Sequence, residues 1–478
     1  MEKPTFPEIR VAQYDFGMIG LGVMGRNLAL NIADRGYSVV GFDKDQDKTQ
    51  ALTQESRQRN ILSVRDLRAF VSTLKTPRAI LLLVPAGAAV DAVIEELMPL
   101  LSAGDLLADC GNSHFSDTDR RAGRLEEAGL RFLGVGVSGG EAGARFGPSI
   151  MPGGDREAFE RIAPMLQAIS AKVNGEPCMG WLGPRSAGHY VKMAHNGIEY
   201  ALMQLLAETY HLLKEAGGLD NDELHALFSR WNQGPLQSFL LEITAAIFAR
   251  ADDLSPARLI DRIKASAKQK GTGMWTSQNA FDLHVPVPAI DMAVAQRDLS
   301  ALAEERHIAH TLHTLHLSGD PVDKPPLPAQ LEQALQFAAV VTYAQGLSLL
   351  HHASQAYGYG LQLAEVARVW RGGCIIRAAL LEDIRAVYAN EPGLPSLLLA
   401  PVLAQKLTAL QAGARSVLKT AIDRGIPVPA FMACLSYYDA YRRDWLPANL
   451  IQAQRDFFGA HTYERTDRAG VFHTNWGQ

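Results

Sequence analysis

The chain has 478 residues, enough for about two to four domains. With 47% hydrophobic residues, 20% charged residues and a formal net charge of -5, it has a globular composition without the basic surplus of nucleic-acid or anionic-membrane binders. Its four cysteines form no CxxC pair, which argues against a disulfide framework and favours a reducing compartment. The first fifteen residues contain no apolar signal core, and no run reaches the roughly 18 apolar residues of a membrane span. We therefore expect a cytoplasmic protein that binds neither nucleic acid nor membrane.

The N-terminal pattern predicts a βαβ unit with glycines in its first turn. An apolar strand at residues 14–20 leads into a GxGxxG at residues 20–25, then a helix over residues 26–35. A second strand at residues 37–42 ends at Asp43. Such a turn lets a pyrophosphate approach the backbone and the helix N-terminus. The placement of strand, helix and acid favours dinucleotide binding over a purely structural glycine turn.

Further strands are predicted at residues 79–84, 106–109 and 131–137, separated by helical patterns. This alternation is typical of a mostly parallel sheet. The last two of these strands run into small polar segments at residues 110–113 and 137–141. Ligands of open parallel sheets bind at the carboxyl ends of strands, so these segments could hold a carboxylate or hydroxyls. Simple turns are the alternative interpretation.

The alternation ends near residues 183–188, and the patterns up to about Asp444 are helical. We therefore predict an α/β Rossmann-type N-terminal domain followed by an all-α domain and a C-terminal tail. The predicted spans are 1–187, 188–449 and 450–478. The tail is rich in aromatics, arginine and histidine. It could be disordered, but disordered tails are usually poor in aromatics, which favours a tail docked on another subunit.

The helix predicted from about residue 192 to Ala216 has one polar face. Lys192, His195, Asn196 and Glu199 are spaced so that they project together. The rest of the helix is mostly apolar, so this stripe is expected to face a cavity or polar partners. A lysine whose pKa is lowered by burial can act as a general base, with a carboxylate as its acid partner. The alternative is the solvated face of an ordinary amphipathic helix.

A basic, glycine-flanked loop at residues 269–273 interrupts the helical region, and it could bind an anion. Arg297 follows on another helical segment. The sequence shows no spacing typical of metal ligands, so no metal site is predicted.

Together these motifs resemble the family of decarboxylating 6-phosphogluconate dehydrogenases, in the long form with a C-terminal tail. The matching segments span nearly the whole chain: residues 20–25, 111–113, 137–141, 143–154, 192–200, 269–273, 370–377 and 454–461. The glycine turn at residues 20–25 alone would fit many enzymes, whereas the Lys192 helix and the segments 370–377 and 454–461 are far more specific.

The resemblance implies oxidation of 6-phosphogluconate at carbon 3, hydride transfer to a nicotinamide, and loss of carbon dioxide to give ribulose 5-phosphate, in the pentose phosphate pathway. It assigns Lys192 as the base that removes the hydroxyl proton and Glu199 as the acid that protonates the enediol. No metal is required, because a cationic amine can polarise the carbonyl.

The resemblance also implies the binding residues and an obligate homodimer. Arg455 and His461 match residues that come from the tail of the neighbouring subunit, and Arg455 would complete a phosphate clamp with Lys270 and Arg297. The implied substrate contacts are Asn112, Ser138, Gly139, Gly140, His195, Asn196, Tyr200, Lys270, Thr272, Arg297, Arg455 and His461. The implied cofactor contacts are Gly20, Leu21, Gly22, Val23, Met24, Gly25, Asp43, Lys44, Asp45, Val84, Pro85, Ala86 and Asn112.

The chain departs from the family at the cofactor. Family members usually have Asn-Arg-Thr after the second strand, with the arginine on the 2′-phosphate of NADP; this chain has Asp43-Lys44-Asp45. Pro85 stands where the family commonly has lysine. Both changes remove positive charge, and a carboxylate at the end of the second strand typically accepts the ribose hydroxyl of NAD. We therefore expect NAD to be preferred, with NADP still a candidate.

Two other functions remain open. Another β-hydroxyacid dehydrogenase would share the glycine turn and the lysine, but would generally lack the long second helical half and the Arg/His tail. A non-catalytic NAD(P)-binding protein would be expected to lose Lys192 or Glu199, and both are present.

Overall fold

The structure is a computed structural model that describes residues 13–313 and 326–477. The predicted spans 1–187, 188–449 and 450–478 include residues 1–12, 314–325 and 478, which lie outside the described residues. No helix among the described residues has both the length and the apolar character needed to cross a membrane.

A seven-stranded sheet forms the N-terminal part of the described chain. Its order is β3-β2-β1-β4-β5-β6-β7, parallel except for β7, which runs antiparallel to β6. The order reverses between β1 and β4, which opens the crevice where such sheets bind ligands. The strands are β1 (Phe16–Ile19), β2 (Val39–Phe42), β3 (Ile61–Val64), β4 (Ala79–Leu82), β5 (Leu106–Asp109), β6 (Arg131–Ser138) and β7 (Ser149–Gly154).

The five predicted strands are confirmed with small shifts at their ends, whereas β3 and β7 were not predicted. β3 is a four-residue strand at one edge of the sheet, and all of its residues are only partly buried. β7 contains Pro152, Gly153 and Gly154, which are depleted in strands. It is an edge strand, where proline is tolerated.

Helices cover both faces of the sheet. Successive strand residues such as Met18 and Ile19 pack into different apolar clusters, one on each face. The helices are α1 (Val23–Asp34), α2 (Gln46–Ser56), α3 (Leu67–Ser72), α4 (Ala88–Leu97), α5 (Phe115–Glu127), α6 (Gly140–Phe146) and α7 (Arg156–Ile169), followed by a short hairpin of β8 (Lys172–Val173) and β9 (Glu176–Pro177).

The described residues from 187 up to the tail are mostly helical and share one continuous apolar core, so the predicted fold class is confirmed. The long helices α8 and α14 are buried along most of their length in this core. The helices are α8 (Ala187–Glu215), α9 (Asn221–Trp231), α10 (Phe239–Ala249), α11 (Thr272–Asp282), α12 (Pro288–Ala301), α13 (Ala303–Leu312), α14 (Pro326–Tyr357), α15 (Leu363–Trp370), α16 (Leu380–Asn390), α17 (Pro401–Asp423) and α18 (Pro429–Tyr441).

The tail folds into helix α19 (Ala448–Gly459) and an antiparallel hairpin of β10 (Tyr463–Glu464) and β11 (Val471–Phe472). Asp456, which is fully buried, holds the two parts together. Its carboxylate accepts hydrogen bonds from the Thr462 and Thr474 backbone amides, His473 Nδ1 and Trp476 Nε1 at 2.9–3.0 Å. Burial would raise the pKa of Asp456, but these hydrogen bonds lower it below its usual value. The described tail is therefore ordered around one carboxylate.

Glycines bring α8 into direct contact with the sheet. A Cβ atom at Gly136 on β6 would lie 2.5 Å from Lys192 Cβ. A Cβ atom at Gly188 on α8 would lie 2.3 Å from the Met151 carbonyl oxygen and 2.4 Å from that of Gly134. These distances are far below van der Waals contact. The first turns of α8, and Lys192 with them, are therefore fixed against β6 and β7.

We predict that Gly188→Ala destabilises the protein, while Gly123→Ala, within α5, does not. The methyl group at 188 would collide with backbone, and such overpacking costs about 1–3 kcal/mol. At Gly123 the same methyl group meets open space, so a gain of up to about 1 kcal/mol is expected from helix propensity. Denaturant unfolding gives both free energies of unfolding; equal values for the two variants would contradict the close approach.

Candidate functional site

The predicted polar face of α8 is confirmed, and it is buried. Lys192 is 6% exposed and His195 is 0% exposed. Lys192 Nζ donates a hydrogen bond to Asn196 Oδ1 at 2.5 Å and lies 3.5 Å from His195 Nδ1. His195 Nδ1 lies 3.7 Å from a carboxylate oxygen of Glu199, which is partly buried. The alternative of a solvated helix face is therefore wrong for Lys192, His195 and Asn196.

Burial sets the protonation of this cluster. It lowers the pKa of Lys192 from its usual value, although the nearby Glu199 carboxylate acts in the opposite direction. Burial also lowers the pKa of His195 well below its usual value, so its ring is neutral. The pKa of Glu199 is raised by burial, against the effects of Lys192 and Arg297. An amine biased towards its neutral form and a carboxyl biased towards its protonated form can serve as a general base and a general acid.

The predicted turn after β6 forms the opposite wall. Ser138 Oγ lies 3.3 Å from His195 Nε2. Gly139 has φ +127° and Gly140 has φ +62°, conformations that favour glycine. A Cβ atom at Gly139 would lie 2.5 Å from the Gly373 carbonyl oxygen, whereas the space around Gly140 is open. The structure thus brings Ser138, Gly139 and Gly140 beside the Lys192 face, with open space at Gly140.

A third wall comes from α11 and α12. The Arg297 guanidinium lies 3.4 Å from the centroid of the Tyr200 ring. Burial lowers the pKa of Arg297, yet a guanidinium keeps its charge in proteins. A Cβ atom at Gly273 would lie 2.3 Å from the Tyr200 ring, so α11 packs tightly on α8. Arg297 and Tyr200 therefore lie next to the Lys192 face as a cation on an aromatic ring.

The loop before α11 supplies the other predicted anion-binding residues. Gly271 adopts a left-handed conformation at φ +94°, and α11 begins at Thr272. Thr272 is buried, whereas Lys270 is exposed. Thr276, one turn further on, donates a hydrogen bond to the Met193 carbonyl at 2.9 Å, which ties this helix end to α8.

Arg455 and His461 are the predicted site residues that the structure leaves apart. Arg455 is exposed and donates a hydrogen bond to Gln452 Oε1 at 3.1 Å. His461 packs edge-on against Phe458. These contacts in the described chain lie within the tail, so the structure does not join either residue to the Lys192 face.

The glycine turn after β1 fits a dinucleotide. A Cβ atom at Gly25 would lie 1.8 Å from the Gly20 carbonyl oxygen, and Gly20 has φ +93°, so both positions need glycine. Gly22 has open space where its Cβ would stand, and no side chain caps α1. The amides at this helix end therefore face open space, as pyrophosphate binding requires. Leu21, Val23 and Met24 belong to the same turn.

Asp43 ties the end of β2 to the glycine turn. Its carboxylate accepts hydrogen bonds from the Leu21 amide at 2.7 Å and from the Asp45 amide at 2.9 Å. Lys44 Nζ lies 2.6 Å from Glu96, and Lys48 Nζ lies 3.4 Å from Asp45. Each of these lysines is therefore already paired with a carboxylate.

The remaining predicted cofactor residues follow β4 and β5. The position of a Gly20 Cβ lies 2.4 Å from the Leu83 carbonyl oxygen and 3.0 Å from Val84, so the segment with Pro85 and Ala86 adjoins the glycine turn. Asn112 is exposed after β5.

Sequence patterns did not single out Asp109, His189 or Asp456. An acid at the end of a strand, a histidine on an apolar helix face and an acid in a tail all fit ordinary structural roles. Their full burial in the structure distinguishes them from ordinary surface residues, and this burial depends on contacts between distant parts of the chain.

Comparisons with known proteins agree across the chain. The sequence model described as the NAD binding domain of 6-phosphogluconate dehydrogenase matches residues 15–183, and that of the 6-phosphogluconate dehydrogenase C-terminal domain matches residues 188–476.

Individual relatives match over their full length. The NADP(+)-dependent, decarboxylating 6-phosphogluconate dehydrogenase of Bacillus subtilis is 50% identical over 98% of this chain and 100% of its own. The decarboxylating 6-phosphogluconate dehydrogenase of Synechococcus elongatus is also 50% identical, with the same coverage. A solved structure of Plasmodium falciparum 6-phosphogluconate dehydrogenase superposes with a TM-score of 0.94 at 39% identity, covering 97% of this chain and 100% of that one. That protein was studied without ligand, with its cofactor NADP+ and with its substrate 6-phosphogluconate.

Proposed function

The chain belongs to the 6-phosphogluconate dehydrogenase family, and on that premise we propose that its Lys192 face performs the oxidative decarboxylation of 6-phosphogluconate to ribulose 5-phosphate and carbon dioxide, with reduction of NAD or NADP. The observation that carries this proposal is the burial of Lys192, which is 6% exposed. Its amine donates a hydrogen bond to Asn196, and burial lowers its pKa. Full-length identity of 50% to such enzymes disfavours another β-hydroxyacid dehydrogenase. The presence of both Lys192 and Glu199 disfavours a non-catalytic binding protein.

Lys192 acts first as a base. Its neutral amine removes the proton of the carbon-3 hydroxyl as the hydrogen on that carbon leaves as hydride. A nicotinamide dinucleotide held at the glycine turn would supply the acceptor for this hydride. Lys192 is then an ammonium beside the new carbonyl oxygen. Asn196, whose side-chain oxygen accepts a hydrogen bond from Nζ, holds the amine in place for both steps.

Lys192 and Glu199 then act as acids in turn. The bond between carbon 1 and carbon 2 then breaks, and negative charge develops on the carbon-3 oxygen. The Lys192 ammonium stabilises this charge and returns its proton to that oxygen. This releases carbon dioxide and leaves an enediol. Glu199, with its pKa raised by burial, protonates carbon 2 of the enediol, and the again neutral Lys192 takes the proton of the carbon-3 hydroxyl, which gives ribulose 5-phosphate.

The walls around Lys192 bind the two ends of the substrate. Ser138, Gly139 and Gly140 offer a hydroxyl and backbone amides to the carboxylate end. Arg297, stacked on Tyr200, offers a fixed cation to the phosphate end. The complete proposed set is Asn112, Ser138, Gly139, Gly140, His195, Asn196, Tyr200, Lys270, Thr272 and Arg297, with Arg455 and His461 from a second copy.

We predict that Lys192→Met lowers kcat by about 10²–10⁴-fold, because the base is lost while the buried volume is kept. Dinucleotide binding, followed by quenching of tryptophan fluorescence, is expected to remain. Lys214→Met is the matched control, since Lys214 lies near the other end of α8 and pairs with Asp261. Full turnover by Lys192→Met would contradict the catalytic assignment.

We infer that the tail completes the site of a second copy in a homodimer. Leu450, Ile451 and Phe458 are 61%, 60% and 72% exposed on a helix that Asp456 keeps ordered. Such an apolar, ordered and uncovered surface is typical of a segment that docks on another chain. The tail would then bring Arg455 and His461 to the neighbouring Lys192 face.

A complementation experiment tests the shared site. A chain ending at residue 447 and the Lys192→Met chain are each expected to be inactive with 6-phosphogluconate. Co-expressed in equal amounts, they form hybrid dimers with one complete site, so about a quarter of the wild-type activity is expected from random pairing. The recovered activity would also show that the shortened chain folds. No recovery, or full activity of the shortened chain alone, would contradict a tail that acts in the neighbouring subunit.

We propose that NAD is preferred over NADP. Asp43 lies beside the glycine turn, and the neighbouring Lys44 is paired with Glu96. A 2′-phosphate about 4 Å from the Asp43 carboxylate would be repelled by on the order of 4 kcal/mol per pair of unit charges at an intermediate dielectric. The ribose hydroxyl of NAD, in contrast, can donate a hydrogen bond to this carboxylate.

Initial rates with 6-phosphogluconate, run in parallel with NAD and NADP, test both the reaction and this preference. The wild-type enzyme is expected to have the higher kcat/KM with NAD. Replacing Asp43, Lys44 and Asp45 by Asn, Arg and Thr is expected to shift the NAD/NADP ratio by at least about tenfold towards NADP. Asp66→Asn, which alters only the cap of α3, is the control. Equal or better efficiency of the wild type with NADP would contradict the preference and leave the reaction in place.

We also place the enzyme in the cytoplasm. Its four cysteines are buried free thiols, and burial raises the pKa of Cys374 to about 12. Such thiols are inert and fit a reducing compartment.

A further inference from the structure

We propose that Asp109, at the end of β5, is a positioning residue that holds the dinucleotide side of the active site in register with the Lys192 helix. The inference rests on the proposed function and adds a residue to it. Asp109 is fully buried, and its carboxylate and its carbonyl oxygen each bind a different wall of the site.

The Asp109 carboxylate closes the turn around Asn112. One oxygen accepts a hydrogen bond from the Gly111 amide at 3.0 Å, and the other accepts one from Ser113 Oγ at 2.5 Å. The residues on both sides of Asn112 are therefore fixed, while the Asn112 side chain projects from the turn and is exposed. Asn112 is a predicted contact of both the cofactor and the substrate.

Arg121 balances the charge and ties the same turn to α4. Its guanidinium is 1% exposed and lies 3.6 Å from the Asp109 carboxylate. It donates hydrogen bonds to Ser113 Oγ at 3.1 Å, to the Gly87 carbonyl at 3.0 Å and to Asp91 at 2.8 Å. A buried carboxylate needs such partners to remain charged. The pair thus links the turn after β5 to Gly87, which directly follows the cofactor segment at residues 84–86.

The Asp109 backbone binds the catalytic helix. His189 Nε2 lies 3.0 Å from the Asp109 carbonyl oxygen, and since that oxygen can only accept, the ring donates from Nε2. The other ring nitrogen lies 2.7 Å from Thr118 Oγ1. His189 is almost one turn before Lys192 on α8, so Asp109 contacts both the Asn112 turn and the helix of the base.

Hydride transfer needs the reacting atoms within a few tenths of an ångström of their productive positions, so loosening this link is expected to slow chemistry more than binding. Asp109→Asn keeps the volume but replaces a charged acceptor by an amide, which cannot accept from Gly111 and Ser113 with both of its polar atoms. The bond of His189 to the backbone carbonyl remains in this variant, so the Asn112 turn is loosened relative to α8.

Asp105→Asn is a matched control at the other end of the same segment. Asp105 is 1% exposed and directly precedes β5, about 13 Å from Asp109 at the rise of a β-strand. Its carboxylate accepts from the Arg78 amide at 2.6 Å and from the Arg78 guanidinium at 2.8 Å. The two variants therefore make the same chemical change at the same burial next to an arginine, and they differ in their distance from the site.

The experiment measures kcat, the KM for 6-phosphogluconate, the isotope effect with substrate deuterated at carbon 3, and the unfolding midpoint. Asp109→Asn is expected to lower kcat by at least about tenfold, with a KM change of less than about threefold and a larger isotope effect. Both variants are expected to lower the unfolding midpoint to a similar extent, but Asp105→Asn is expected to leave kcat and the isotope effect unchanged. Ser113→Ala removes one donor to Asp109, so it is expected to change kcat and the isotope effect in the same direction as Asp109→Asn but by a smaller factor. It replaces Asp109→Asn in the test if that variant does not fold.

Equal losses of kcat in Asp109→Asn and Asp105→Asn would overturn the proposal, as would an unchanged isotope effect in both Asp109→Asn and Ser113→Ala. Wild-type protein without turnover of 6-phosphogluconate would instead overturn the proposed function. The two failures are therefore distinguishable.

Discussion

The close approach of α8 to strands β6 and β7 is the constraint on which the active site depends. Glycines on both sides of the contact allow it, and a side chain at Gly136 would collide with Lys192 itself. The approach excludes water from the Lys192 amine, and burial then lowers the pKa of that amine. Fold and proposed chemistry meet at one place, because the contact that packs the helical part of the chain on the sheet also lowers the pKa of the lysine that we propose as the base.

Burial disfavours the charged form of every titratable group on the Lys192 face. It holds His195 neutral and raises the pKa of Glu199. The positive charge that we propose for the phosphate end is on Arg297 above the Tyr200 ring, where a guanidinium remains charged despite partial burial. A buried reaction centre next to a fixed cation suits a substrate with a reacting carbon chain and an anionic end.

Local sequence patterns were sufficient for the glycine turn, the positions of five main strands and the shared face of Lys192, His195, Asn196 and Glu199. Each depends on residues within about two helical turns or one βαβ unit. The edge strands β3 and β7 were missed because one is only partly buried and the other contains Pro152, so their pairing is decided by neighbouring strands. The links through Asp109 and His189 join positions 80 residues apart, which no local pattern reveals. The order of the tail around Asp456 could not be predicted for the same reason, because its carboxylate binds residues up to 20 positions away.

The central claim is that folding makes the Lys192 amine a base, and its titration tests this most directly. The enzyme is labelled with carbon-13 at the lysine ε positions, and the Lys192 resonance, assigned by its absence in the Lys192→Met protein, is followed against pH. The account predicts a midpoint clearly below the usual lysine value of about 10.4. A midpoint at or above that value would show that the Glu199 carboxylate outweighs burial, and would contradict the role of Lys192 as the base that starts the reaction.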